Sequence, residues 1–133
     1  IQARIMKFHL AKSNAFANTA LETVYAEGDQ WLDDFVDYMA NNVSLIREFC
    51  QDDANKVELI EPEGTYQVWL DFRAYTESEE ELLKILADTA KLVLNPCSSD
   101  GTGGDKFFRM NIGCPKSEIA SALEGIKKAL AGL

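Results

Sequence analysis

Between Trp31 and Phe49 the apolar residues recur at intervals of three and four: Trp31, Leu32, Phe35, Met39, Val43, Ile46 and Phe49. That spacing marks one face of an α-helix and predicts a long helix opening near Asp29. At 1.5 Å of rise per residue such a helix is a rod of roughly 30 Å, long for a free-standing small domain and suited to bridging two. Ahead of it, Asn18 is placed to cap a short helix through Leu21, Val24 and Tyr25, which Gly28 stops.

The period then changes from helical to alternating. Lys56 to Ile60 is a short strand candidate, followed by the turn Glu61-Pro62-Glu63-Gly64. In the next segment Tyr66, Val68, Leu70 and Phe72 share one face, and Thr65, Gln67, Trp69, Asp71 and Arg73 the other, as in a half-buried strand. Thr76 and Ser78, each followed three residues on by a glutamate, offer capping boxes for a helix with Leu82, Ile85, Leu86 and Ala90 inward. A strand around Leu92–Leu94 leads into a loop from Asn95 to Asp105. Beyond it Phe108, Met110 and Ile112 alternate with Phe107, Arg109 and Asn111. Ser117 is the expected cap of a last helix, with Ile119, Leu123, Ile126 and Leu130 inward and Gly132 as its stop. This order predicts an α+β two-layer sandwich: a small, mainly antiparallel sheet covered on one face by helices, with a long N-terminal bridging helix.

Composition narrows the function. The chain has 133 residues and a net charge of −9, which disfavours both nucleic acid and anionic membrane as partners. No apolar run approaches the ~20 residues of a membrane-spanning helix. Three scattered cysteines, Cys50, Cys97 and Cys114, without a paired spacing, point to a reducing compartment, the cytoplasm, and to no zinc site. The single histidine, His9, reads as structural.

Most candidate chemistry has a bland explanation. Gly101-Thr102-Gly103-Gly104 lacks the spacing and the lysine of a phosphate loop, and Asp100 and Asp105 flank it. The acidic run Glu77–Glu81 complements a helix dipole. Cys114 has no histidine near in sequence, and Trp69 reads as packing. Arg109 is different, because a mid-strand guanidinium demands an anion. Either it forks onto a ligand carboxylate, or it pairs across the strands with Asp71.

Three segments, NAFANTALETVYAEGDQWLDDFVDYMANN, EPEGTYQVWLDFR and LNPCSSDGTGGDKFFRMNIGCPKSEIASAL, resemble in order and spacing the C-terminal part of fold-type I pyridoxal-phosphate (PLP) enzymes. Within them the chain is most similar to the C–S lyases of the MalY/PatB, or cystathionine β-lyase, type, with class I/II aminotransferases the nearest alternative. The resemblance implies that residues 29–133 form the C-terminal small domain and that residues 1–28 belong to or contact a large domain. That N-terminal domain, missing here, would supply the lysine that binds PLP. The resemblance makes Arg109 the grip on the α-carboxylate of an amino-acid substrate, with Asn111 and Tyr66 beside it. It implies no catalytic, cofactor-binding or metal-binding residue in this chain, no PLP on it alone, and a homodimer. A non-catalytic module with Arg109 in a structural ion pair is the contrasting reading. The chain departs from the family at Asn14-Ala15-Phe16-Ala17, where Asn-Pro-Phe-Gly is usual. It departs again at Lys116, usually arginine, and at Cys97-Ser98-Ser99-Asp100-Gly101, where the family usually runs through Gly and Phe-Gly.

Overall fold

A computed structural model describes residues 14–52, 54–75 and 78–133. His9, Thr76 with its capping box, and Glu77 of the acidic run lie outside the described residues. The chain divides into two compact units, Ile1–Asp37 and Tyr38–Leu133. The boundary falls within a helix.

In the first unit, α1 spans Ala15–Glu27 and buries no residue. Its cap is Asn14, whose side chain accepts the N–H of Ala17, and not Asn18, which lies one turn inside the helix. Gly28 ends α1, its N–H bonded to the Val24 carbonyl; a Cβ there would meet that oxygen at 2.3 Å. The long helix α2 then runs Asp29–Gln51, 23 residues as its periodicity predicts. Trp31 and Phe35 stack at 5.2 Å, and Trp31 and Leu32 of the apolar stripe are exposed.

In the second unit, Met39, Asn42 and Ile46 of α2 are buried. The sheet has the order β1-β2-β4-β3 and is antiparallel throughout. Its strands are β1 (Glu58–Ile60), β2 (Gln67–Asp71), β3 (Asn95–Pro96) and β4 (Phe107–Asn111). Alternation works as the sequence indicates. Val68, Leu70, Phe72, Phe108, Met110 and Ile112 are buried, and Phe72 meets Phe108 edge-on at 5.4 Å. Helices α3 (Glu79–Ile85) and α4 (Lys116–Leu130) add Leu82, Ile119, Leu123, Ile126 and Leu130 to this core. The α+β fold is as expected.

The boundaries differ in instructive ways. Tyr66 does not join the apolar face: pairing starts at Gln67, and Tyr66 stays half exposed in the turn. Arg73 lies past the strand, in a turn. Ser78 caps α3, accepting the Glu81 N–H. The end of α3 widens into a π-helical turn, Leu86–Ala90, closed by Lys91 in the left-handed region (φ 54°). Gly125 of α4 comes so close to this turn that a Cβ would meet the Ala90 carbonyl at 3.0 Å. That turn displaces the expected strand at Leu92–Leu94, and the ladder forms instead at Asn95–Pro96. The last helix starts one residue before Ser117, after Pro115, whose fixed φ of −55° suits a helix entry without a side-chain cap.

Candidate functional site

Strand β4 is the central positioning element. Its partner β2 sets Trp69 opposite Arg109 and Gln67 opposite Asn111, and on its other side β3 sets Asn95 opposite Arg109. Because Phe108 and Met110 face the core, Arg109 emerges on the opposite face between Trp69 and Asn95.

The two arginines of this face differ. Arg73 closes on Asp71 through Nε and Nη2, the latter at 2.6 Å, donates its backbone N–H to Asp71 Oδ1, and lies 4.7 Å over the Phe107 ring. Burial pushes the Asp71 carboxyl up, but the hydrogen bonds from Arg73 outweigh it and hold the group below its usual range. Asp71 is therefore not the partner of Arg109, and the cross-strand pair considered from the sequence does not form. Arg109 Nε is buried and makes no hydrogen bond among the described residues. Among the described residues it forms an ion pair with Asp100, whose Oδ2 lies 3.4 Å from Nε without making a hydrogen bond.

Arg109 and Asn111 line a cleft of about 400 Å³ at the β3 edge of the sheet, together with Lys91, Asn95, Cys114 and Glu118. Tyr66 does not line it. Asn111 Oδ1 accepts the Gly113 N–H at 2.8 Å, which turns the chain out of β4 toward Cys114 and Pro115. Asn42 reaches the same turn from α2, donating from Nδ2 to the carbonyls of Ile112 (2.9 Å) and Cys114 (3.1 Å). The sequence signal for Asn42 is its place as a polar residue between Met39 and Ile46 on an apolar face.

The segment from Cys97 to Lys106 is a fixed loop with a projecting tip. Cys97 is fully buried, and Gly104 packs on it so tightly that a Cβ would meet its carbonyl oxygen at 2.2 Å. Glu79, at the start of α3, pins both ends of the loop. It accepts from Ser98 Oγ at 2.6 Å and from the Lys106 N–H at 3.0 Å. The sequence pattern assigns Glu79 to the capping box of Thr76 and to the helix dipole, not to the loop. Between these anchors the tip carries Asp100 toward Arg109, with Gly101 (φ 145°) and Gly103 (φ 90°) in backbone conformations that favour glycine.

Burial pushes the thiols of Cys50 (to about 11), Cys97 and Cys114 up, away from nucleophilic character. Among the described residues, no group of three His, Cys, Asp or Glu side chains could hold a metal ion, and no helix is long and apolar enough to cross a membrane. The described lysines are at least partly exposed, Lys91 on the cleft rim among the exposed ones. A guanidinium held on a paired strand presents a planar donor edge that can meet a carboxylate by two parallel hydrogen bonds.

No protein-family model matches the sequence. The chain is 36% identical over 128 residues, 96% of its length, to cystathionine beta-lyase PatB of Bacillus subtilis (strain 168). It superposes on a PLP-bound protein of Clostridium difficile 630, described as an aminotransferase, with a TM-score of 0.88 and 34% identity, covering 97% of this chain and 33% of that one. Cystalysin of Treponema denticola, a PLP-containing structure, gives a TM-score of 0.84 and 28% identity over 90% of this chain and 30% of its own. The chain spans about a third of the length of the curated relatives it matches. In sequence and in fold, the chain belongs with the C-terminal domains of the fold-type I PLP-dependent enzymes.

Proposed function

We propose that this chain is the substrate-carboxylate-binding domain of a PLP-dependent C–S β-lyase acting on sulfur-containing amino acids. The observation that carries the reading is Arg109: a mid-strand guanidinium, flanked by Trp69 and Asn95, that makes no aligned hydrogen bond from its buried Nε. A carboxylate fits that fork by two parallel charge-assisted hydrogen bonds. Asn111 orders the turn at the end of β4, and Tyr66 stands next to that turn, beside Gly113; in this reading both help to shape the substrate site. PLP, when bound, serves as an electron sink for the carbon next to the carboxylate. In this reading its lysine comes from outside these 133 residues, and the chain alone neither binds PLP nor turns over. Arg109 contributes by fixing the carboxylate, and so the orientation of the bonds at that carbon.

The rest of the proposal concerns context. In this reading residues 1–28 belong to or contact a large PLP-binding domain, residues 29–133 form the small domain, the assembly is a homodimer, and the compartment is the cytoplasm. The exposed apolar side chains of the first unit, Phe16, Val24, Tyr25 and Trp31 among them, support an absent protein partner. The similarity to the Clostridium difficile protein favours a second reading, an aminotransferase domain. Product analysis on the full-length protein tests both. Release of thiol, ammonia and a 2-oxo acid from an S-substituted cysteine supports the lyase, and transfer of the amino group to an added 2-oxo acid supports the transaminase. Neither product, with PLP loaded, defeats both.

A further inference from the structure

Resting on the reading of Arg109 as the carboxylate fork, we infer that Asp100 is a built-in competitor for that fork and sets its affinity. Three observations meet here. Asp100 Oδ2 stands 3.4 Å from Arg109 Nε, close enough to offset charge but without a hydrogen bond that would commit the pair. The two side chains are part-exposed, at 30% for Arg109 and 37% for Asp100, so an incoming anion can reach the guanidinium although its Nε is buried. Asp100 also rides on a tip whose roots are fixed by Cys97, Gly104 and Glu79, while Gly101 and Gly103 beside it have nothing within 4 Å of where a Cβ would stand. Asp100 ends the short 3-10 turn Cys97–Asp100, and the open space beside it leaves its side chain room to turn aside while the roots of the loop stay anchored. Contrast Asp71, which is buried and engaged by Arg73 through side chain and backbone, and could not yield so cheaply.

An acid held loosely at the flank of Arg109 lowers the fork's attraction for any carboxylate, because the ligand must displace or share with it. The effect acts through Arg109, so it should be specific to charge. The test is calorimetric titration of the full-length protein with propionate, a carboxylate with no amine to react, and with propionamide, its neutral isostere. Asp100→Asn should tighten propionate about fivefold, the size of a part-exposed ion pair, and leave propionamide unchanged. Asp100→Glu, which keeps the charge, should return propionate affinity toward the parent value. Unchanged or weaker propionate binding in Asp100→Asn overturns the inference, as does equal tightening of propionamide. Arg109→Gln separates the two layers. If it loses propionate binding while Asp100→Asn has no effect, only the competitor role fails. If it binds propionate as well as the parent, the carboxylate fork itself fails, and the competitor role with it.

Discussion

Arg73 and Arg109 sit on the same side of one small sheet, and each has an aspartate within 3.4 Å. They are nonetheless opposites. Arg73 is joined to Asp71 two residues away, so local chain geometry makes the fork-to-carboxylate contact with little ordering to offset, and Phe107 supplies a ring for the cation to cover. Arg109 is held by its strand, while its acid comes from a loop nine residues back and meets Nε off line. A satisfied pair is structure. An unsatisfied one, held by a paired strand, is what the proposed carboxylate grip requires.

That contrast is open to attack by substitution. The largest effect should fall on the scaffold that aims Arg109. Asn42→Ala strands the buried carbonyl of Ile112 and the part-buried one of Cys114, and a buried acceptor left without a donor costs about 1–3 kcal/mol. Denaturant unfolding should show a loss of about 2–4 kcal/mol. A change within error would mean that the β4 turn does not depend on α2.

Next is Arg109→Ala in the full-length protein, where kcat/KM should fall about tenfold to a hundredfold, since each 1.4 kcal/mol of lost binding is a factor of ten. Unfolding midpoints should barely move, because the residue makes no aligned bond from Nε. Strong destabilisation with little kinetic change would turn Arg109 into a second Arg73.

Asp71→Asn should do the reverse, lowering stability by about 1–2 kcal/mol with carboxylate affinity intact. The pH dependence has a definite sign. The folded-state value of Asp71 is depressed, so its contribution is present above the unfolded carboxylate range and is lost as pH falls through the folded value. The difference between parent and Asp71→Asn in acid unfolding should therefore shrink below that range, and a constant difference would contradict the assignment.

The smallest effect belongs to the exposed pair Arg47–Glu61, which is bidentate at 2.8 Å but open to water. Arg47→Ala should leave the unfolding midpoint in physiological salt nearly where it was. A large shift would show that geometry alone, without burial, separates committed from uncommitted arginines.

The sequence by itself determined the element order, the α+β class and the face on which Arg109 stands. Those follow from periodicity, which is a local property: 3.6 for α2 and α4, two for β2 and β4. Three strings along the chain were enough to indicate the family, and the comparisons agree. The tertiary structure decided what depends on residues distant in sequence. It moved the third strand from Leu92–Leu94 to Asn95–Pro96, because the π turn against Gly125 takes up the intervening chain. It left the Tyr66 ring exposed and off the apolar face, although the Tyr66 carbonyl accepts the Ile112 N–H at 2.8 Å just before the register opens at Gln67 opposite Asn111. It gave Asp71 to Arg73 and brought Asp100 to Arg109, a choice between acids that strand alternation cannot make. Alternation fixes which side a side chain leaves from, while the partner it meets depends on loops whose course is set by packing, here by Glu79 and by the contact of Gly104 with Cys97.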